Sequence, residues 1–264
     1  VARYESAAFD AAEQVFASPE RRARLGSCHP GAVRDDTCAA ELLGSIGPAA
    51  WRRPLTTEET ARLVGVAGTA ADALGSFDEG FGYALAALLQ SPWFLFRPEV
   101  GAVGEDGVRR YDAWELAARL SYFLWDGPPD AALREAAASG ALLTETELAA
   151  QVGRMLADDR AHRGLRAFAA DMFQLAELDS LTKDPTVFVY MSAALGASAR
   201  EQTLLDAESL VLDDDDDFRK FLTSTDTHLD RTLAALYDVP APEREGFGAS
   251  TLPSSGGRRG FLGQ

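Results

Sequence analysis

The chain has 264 residues, 47% of them apolar and 25% charged, and 25 Lys and Arg stand against 41 Asp and Glu for a formal net charge of −16. An acidic surface of this size repels nucleic-acid phosphates and anionic lipid headgroups, so no nucleic-acid partner is expected. No stretch approaches the roughly 20 apolar residues that span a bilayer, and a chain of this length buries roughly 70–75% of its unfolded surface without special staples.

The residue pattern is helical nearly throughout. Residues 4–17 put Phe9, Ala12, Val15 and Phe16 on one face, which predicts an amphipathic helix ending before Pro19. A Gly/Pro-containing loop, CHPGAVRDDTC, then carries Cys28 and Cys38 at its two ends. A disulfide between them closes a short loop, contributes about 2–3 kcal/mol in the chain-entropy model, and persists only in an oxidising compartment. Asp36 or Thr37 caps a helix running to Trp51, with a break expected near Gly44, Gly47 and Pro48. Arg52-Arg53-Pro54-Leu55 forces an extended corner. Thr56 with Glu59 is a capping box that opens a helix through Leu74. A further helix starts at Asp78 and stops at Ser91-Pro92, and the apolar block Trp93-Phe94-Leu95-Phe96 is expected on the core. Arg97 to Gly107 reads as loop.

Asp112 to Asp126, DAWELAARLSYFLWD, is the most apolar helical segment. Asp112, Glu115, Arg119, Tyr122 and Asp126 fall on one narrow stripe, and the other sides are mostly large apolar residues. A helix apolar nearly all round is buried, so this one is expected at the centre of the fold. It ends at Gly127-Pro128-Pro129. Asp130 caps a short helix ending near Gly140, and Thr144 with Glu147 opens another to Ala157. Residues 160–178 form the next helix, Asp184-Pro185 starts a new segment, and a long helix is predicted from Ser192 to Leu212. Asp216 or Asp217 caps FRKFL, Asp226 or Thr227 caps a helix through Tyr237, and the tail from Pro240 reads as loop. With no alternating strand pattern of useful length, the expected fold is all-α: a bundle of ten or so helices around the 112–126 helix. Three segments are expected: 1–55 with the cysteine loop, 56–239 as the main helical domain, and a loop-rich 240–264. The opening Val1-Ala2-Arg3-Tyr4 and the closing GGRRGFLGQ read as the ends of a piece of something longer.

Familiar chemistry is sparse. His29, His162 and His228 lie far apart, with no HExxH and no Cys/His cluster at zinc spacing; His162, flanked by arginines, is expected to be solvated. Leu25 to His29 has the shape of a CxxCH haem-attachment segment with Leu25 in place of the first cysteine, and covalent haem needs both thiols. Gly196 to Arg200 around Ser198 fails the nucleophile-elbow pattern at its last glycine. Asp213 to Asp217 is a run of five carboxylates, with Asp213, Asp215 and Asp217 as weak candidate Ca²⁺ ligands. Laid on the EF-hand loop the run fails, because Phe218 stands at the glycine position and Ser224 at the final glutamate; a solvated acidic turn is the first reading.

Glu201 and Glu208 are the polar feature that stands out. They lie seven residues apart on a helix face shared with Leu204, Leu205, Val211 and Leu212. Carboxylates drawn inward need a partner, and Arg119 or the Arg52-Arg53 corner is expected to supply it. A buried Glu–Arg network that orients helices is the first reading. A catalytic acid/base pair, Glu201 and Glu208 with Arg119, is the second. Seven helical residues span about 10.5 Å, near the separation used by inverting glycosidases, but both groups then stand on one wall. No cofactor is expected within the chain.

Several blocks together resemble a known family: Cys28…Cys38-Ala39, Trp51-Arg52-Arg53-Pro54-Leu55, Ser91-Pro92-Trp93-Phe94-Leu95-Phe96-Arg97, Tyr111-Asp112…Glu115-Leu116-Ala117…Arg119-Leu120-Ser121-Tyr122-Phe123-Leu124-Trp125, and Gly257-Arg258-Arg259-Gly260-Phe261-Leu262-Gly263-Gln264. These are the large secreted bacterial proteins first catalogued in planctomycetes, whose tandem domains of unknown function accompany c-type cytochrome modules. The resemblance implies a periplasmic or extracellular helical scaffold, with a cytochrome or other exported protein as partner and c-type haem in another part of the parent protein. It implies no reaction. Thr227-His228-Leu229-Asp230 departs from the aromatic and Asn that the family carries there. The functions to be weighed are therefore an exported scaffold or interaction module, an extracytoplasmic hydrolase of carbohydrate type, and a partner-binding module using exposed aromatics such as Trp93 or Trp51.

Overall fold

A computed structural model describes residues 2–184, 186–214 and 216–263. The fold is all-α, with two short antiparallel strand pairs among the described residues. The chain divides into two compact units, residues 1–121 with 128–149, and residues 122–127 with 150–264.

The first unit contains α1 (Ala2–Phe16), α2 (Pro19–Ala23), α3 (Asp36–Trp51), α4 (Thr57–Leu74), α5 (Phe77–Gln90) and α6 (Pro92–Leu95). Its core is built from Leu42, Leu43, Trp51, Leu63, Phe81 and Leu88, with Phe16 set edge-on to Phe81. The disulfide Cys28–Cys38 joins the loop before α3 to its first turn, with the Cα atoms 5.7 Å apart. Asp35, one residue earlier than expected, caps α3 by accepting from Cys38 N. The expected break in α3 is absent. Pro48 sits in the last turn of a continuous helix, and the glycine before it leaves room for Leu55, whose Cδ1 would lie 2.5 Å from a Cβ at position 47.

α3 ends at Arg52, which takes a left-handed conformation (φ 60°). Three side chains then fix the corner. Trp51 Nε1 donates to Leu88 O at 3.0 Å, and Arg52 donates to the carbonyls of Trp93 and Phe96. Arg53 lies 4.2 Å from the Trp93 ring centroid and pairs with Glu59 at 2.8 Å. The Thr56–Glu59 capping box is present in full. Trp93 packs on the core, whereas Phe94 and Phe96 are exposed, so only part of that apolar block is inward. Beyond it β1 (Ala102–Val103) pairs with β2 (Arg109–Arg110), a hairpin where loop was expected.

α7 (Ala113–Trp125) forms where predicted, and the division between the units falls inside it. Its buried residues Ala113, Ala117, Ser121 and Trp125 recur every fourth position, and Phe123 is 71% exposed. The helix therefore buries one stripe; the expectation of burial on all sides is corrected. α8 (Ala131–Ala138) is capped by Asp130, and α9 (Glu145–Leu156) is preceded by Thr144, whose hydroxyl accepts from Glu147 N.

The second unit is organised by α10 (Arg160–Met172) and α11 (Leu195–Glu208). Trp125 is fully buried, donates to Met155 O at 2.9 Å and carries the Arg160 guanidinium 3.4 Å over its ring. Gly164 lets α10 approach this point: an added Cβ would lie 2.1 Å from Leu124 O. α10 stops at Met172, short of the predicted 178, because Gln174 turns left-handed (φ 54°) into a 3₁₀ turn, Leu175–Ser180. The long helix is likewise shorter than predicted. After Glu208 it widens into a π-helical turn, Ser209–Asp213, closed by Asp214 N donating to Ser209 O. Carboxylates crowd this end, where the helix dipole disfavours them. Asp217 caps the turn Phe218–Leu222, as expected.

Two further expectations fail in the last third. Asp226–Leu229 is a strand, β3, whose Thr227 and Leu229 are buried in alternation, and Asp230 caps α12 (Arg231–Tyr237). The tail supplies β4 (Gly248–Thr251), antiparallel to β3 with His228 opposite Ala249. The role of Asp184-Pro185 lies partly outside the described residues.

Candidate functional site

Two stripes of α11 carry the polar chemistry of the second unit. Ser198, Gln202 and Asp206, spaced by four residues, face β3 and α12. Glu201 and Glu208, spaced by seven, face α10.

The first stripe makes two sets of hydrogen bonds, one at Ser198 and one that runs from Tyr237 to His228. Ser198 Oγ donates to Asp230 Oδ2 at 2.5 Å. Tyr237 Oη donates to Gln202 Oε1 at 2.9 Å, and Gln202, fully buried, donates to Thr227 Oγ1 at 2.7 Å. Thr227 Oγ1 donates in turn to Asp206 Oδ2 at 2.7 Å. The other Asp206 oxygen accepts from the His228 backbone N–H and from His228 Nδ1, both at 2.8 Å. A carboxylate opposite Nδ1 assigns the proton to that nitrogen and leaves Nε2 with its lone pair in the neutral ring. Among the described residues Nε2 has no protein partner. The Asp206 hydrogen bond raises the His228 pKa above its ordinary 6.5 against the opposing effect of burial, and Asp213 and Asp214 add to the rise. Burial pushes the Tyr237 phenol up, so it remains a donor.

His228 lines a cleft of 490 Å³ together with Asp206, Asp214, Asp226, Lys220 and Phe261. Lys220 pairs with Asp216, so the cleft is predominantly acidic. An imidazole held by a carboxylate, with its second nitrogen open, is the arrangement of a general base.

The second stripe is a Glu–Arg network, and its arginine is neither of those expected. Arg166 of α10 donates to Glu201 Oε2 at 2.5 Å and to Glu208 Oε2 at 2.7 Å. Burial lowers the Arg166 pKa, but its bonds to Glu201 and Glu208 outweigh this and the net shift is upward. Glu208 is also 3.4 Å from His162 Nδ1, with Asp213 3.9 Å from Nε2, so His162 is not merely solvated. Arg119 is engaged elsewhere, with Glu99 at 2.7 Å and Tyr111 at 3.1 Å, and Arg52 and Arg53 serve the corner after α3. Arg119 belongs to the first unit, and Glu201 and Glu208 belong to the second.

Of the weak calcium candidates, Asp217 is tied to Arg219, Asp213 lies beside His162, and Asp215 lies outside the described residues. Among the described residues no group of three or more His, Cys, Asp or Glu is arranged to hold a metal ion. Both cysteines are consumed by the disulfide, so residues here do not fit covalent haem attachment. Trp51 is 4% exposed and Trp93 is covered by Arg53, so neither is the exposed aromatic that partner binding was expected to use.

Sequence reasoning missed the Asp206–His228 pair. The signal was present, since Ser198, Gln202 and Asp206 form a polar stripe at fourfold spacing. Its partner looked like a helix cap, which hid the strand that presents His228.

Residues 38–99 match the model of PSD5, a protein of unknown function (DUF1595), and residues 111–239 that of PSD4, a protein of unknown function (DUF1592). Two tandem domains of unknown function are therefore present, consistent with the family that the sequence blocks resemble. No curated protein and no solved structure matches the chain.

Proposed function

We propose that the chain is an exported helical interaction module of a cytochrome-associated protein. The observation that carries the reading is Val187-Phe188-Val189-Tyr190, four consecutive apolar residues exposed by 70, 54, 75 and 51%. An exposed apolar run of this kind marks an interaction surface. The disulfide supports an oxidising, non-cytosolic compartment, and the tandem domains support the likeness to proteins that carry c-type cytochrome modules. The test is capture from the native exported fraction with the wild-type chain and with a variant carrying V187S, F188S, V189S and Y190S. Retention of a polypeptide with covalent haem by the wild type alone supports the reading. Equal retention by both, or no haem polypeptide with either, overturns it.

A second reading, an extracytoplasmic hydrolase acting on polymer, is favoured by the open Nε2 of His228. It replaces the Glu201–Glu208 pair with the Asp206–His228 pair, because both glutamates are already ion-paired to Arg166. In this reading water in the acidic cleft gives its proton to Nε2 as the oxygen attacks, and the leaving group takes that proton back. Release of reducing sugar or of free acyl groups from extracellular polymer, lost in His228→Asn, tests it. Equal release by the variant contradicts it.

A further inference from the structure

We propose that Arg163 and Arg200 form a binding site for a small organic monocarboxylate in the groove between α10 and α11. The groove has a volume of 350 Å³ and lies on the opposite stripe of α11 from the His228 cleft. Three arginines line it. Arg166 is neutralised by Glu201 and Glu208. Arg163 donates through Nε to Trp125 O at 2.9 Å, a neutral acceptor, and no carboxylate among the described residues pairs with it. Arg200 has no ion-pair partner among the described residues, and its Nε is buried without a hydrogen-bond acceptor.

Two guanidinium groups without a carboxylate partner among the described residues thus face one groove, and one of them has a buried donor with no acceptor. Asp171 and Glu177 line an adjoining groove with Arg200 and stand nearby, yet neither pairs with it. A buried donor without a partner is unfavourable, and native structures leave few of them unsatisfied. The planar guanidinium fork matches an oxyanion with two parallel hydrogen bonds. Ala167, Ala170 and Leu204 give the groove an apolar wall suited to the organic remainder of such a ligand. The Glu201 carboxylate at the same groove disfavours a dianion, which selects a monocarboxylate over phosphate.

The test uses the full chain with benzoate as probe, inorganic phosphate and uncharged benzamide as controls, and titration calorimetry as readout. Benzoate is expected to bind saturably and more tightly than phosphate, and benzamide not to bind. Arg200→Gln and Arg163→Gln are each expected to weaken benzoate by roughly 10-fold or more, the effect of losing a charge-assisted bond. Glu201→Gln, which removes the competing carboxylate, is expected to tighten it; a gain of binding is not a consequence of misfolding. Absence of benzoate binding, equal binding by Arg200→Gln with wild-type circular dichroism, equal binding of benzamide, or phosphate binding tighter than benzoate overturns the proposal.

Discussion

His228 Nδ1 lies 2.8 Å from Asp206 Oδ1, and the same oxygen accepts the His228 backbone N–H. One carboxylate thus holds both the strand and the ring, and the ring's other nitrogen is left to the cleft. The raised pKa has a consequence for stability. A histidine whose folded pKa exceeds its unfolded value stabilises the fold fully below the unfolded value, and that stabilisation is lost as pH rises through the folded pKa. Histidine-resolved NMR titration is expected to place His228 above 6.5, and Asp206→Asn is expected to return it toward 6.5 and flatten the decline in stability above that pH. A His228 titration unchanged by Asp206→Asn contradicts the pairing.

His228→Asn separates holding from chemistry. The Asn amide nitrogen occupies nearly the place of Nδ1, so the bond to Asp206 survives while Nε2 disappears. The variant is expected to keep its thermal midpoint within a few degrees, a change on the order of 1 kcal/mol or less. His228→Ala is expected to lose about 1–3 kcal/mol, because Asp206 then has a buried lone pair unanswered. Equal losses in both variants, read by denaturant unfolding, contradict the geometry.

Acid sensitivity is expected at the corner after α3. The Arg53 guanidinium holds the Glu59 carboxyl at about 2, below its ordinary 4.5, with the Thr56 N–H helping. A depressed pKa stabilises the fold fully above 4.5, and the contribution is lost as pH falls toward about 2. Glu59→Gln is expected to be less stable at neutral pH and to lose less between 4.5 and 2 than the wild type. Acid titrations followed by circular dichroism check this; parallel curves contradict it.

Gly164→Ala tests the close approach of α10 to the end of α7. Its Cβ would meet a backbone oxygen at 2.1 Å, which no side-chain rotation relieves. A loss of about 1–3 kcal/mol or more is expected, the cost of forced overpacking. Gly153, with open space where its Cβ would stand, is the control, and Gly153→Ala is expected to be neutral or stabilising.

Much of the fold was legible because its signals are local. The Thr56–Glu59 box, the Asp130 cap and the Cys28–Cys38 loop each declare themselves within a few residues. What failed depended on distant chain. Pro48 breaks helices by rule, but near a C-terminus it removes little, and only the packing of Leu55 explains why Gly47 precedes it. Asp226 and Thr227 look like caps until β4, some twenty residues on, pairs with them. The site followed the same division. Glu201 and Glu208 were found by helical spacing, but Arg166 as their partner required the packing of α10 on α11. His228 was passed over because nothing near it in sequence pairs with it.

The proposal that this chain is an exported module of a cytochrome-associated protein is tested most directly by a single measurement. Intact mass and visible absorption are recorded together on the protein purified from its native source. The expected result is a polypeptide that retains the Cys28–Cys38 disulfide and co-purifies with a c-type Soret band, on its own chain or on a bound partner. A protein recovered with both thiols reduced and no haem absorbance on any associated polypeptide contradicts it.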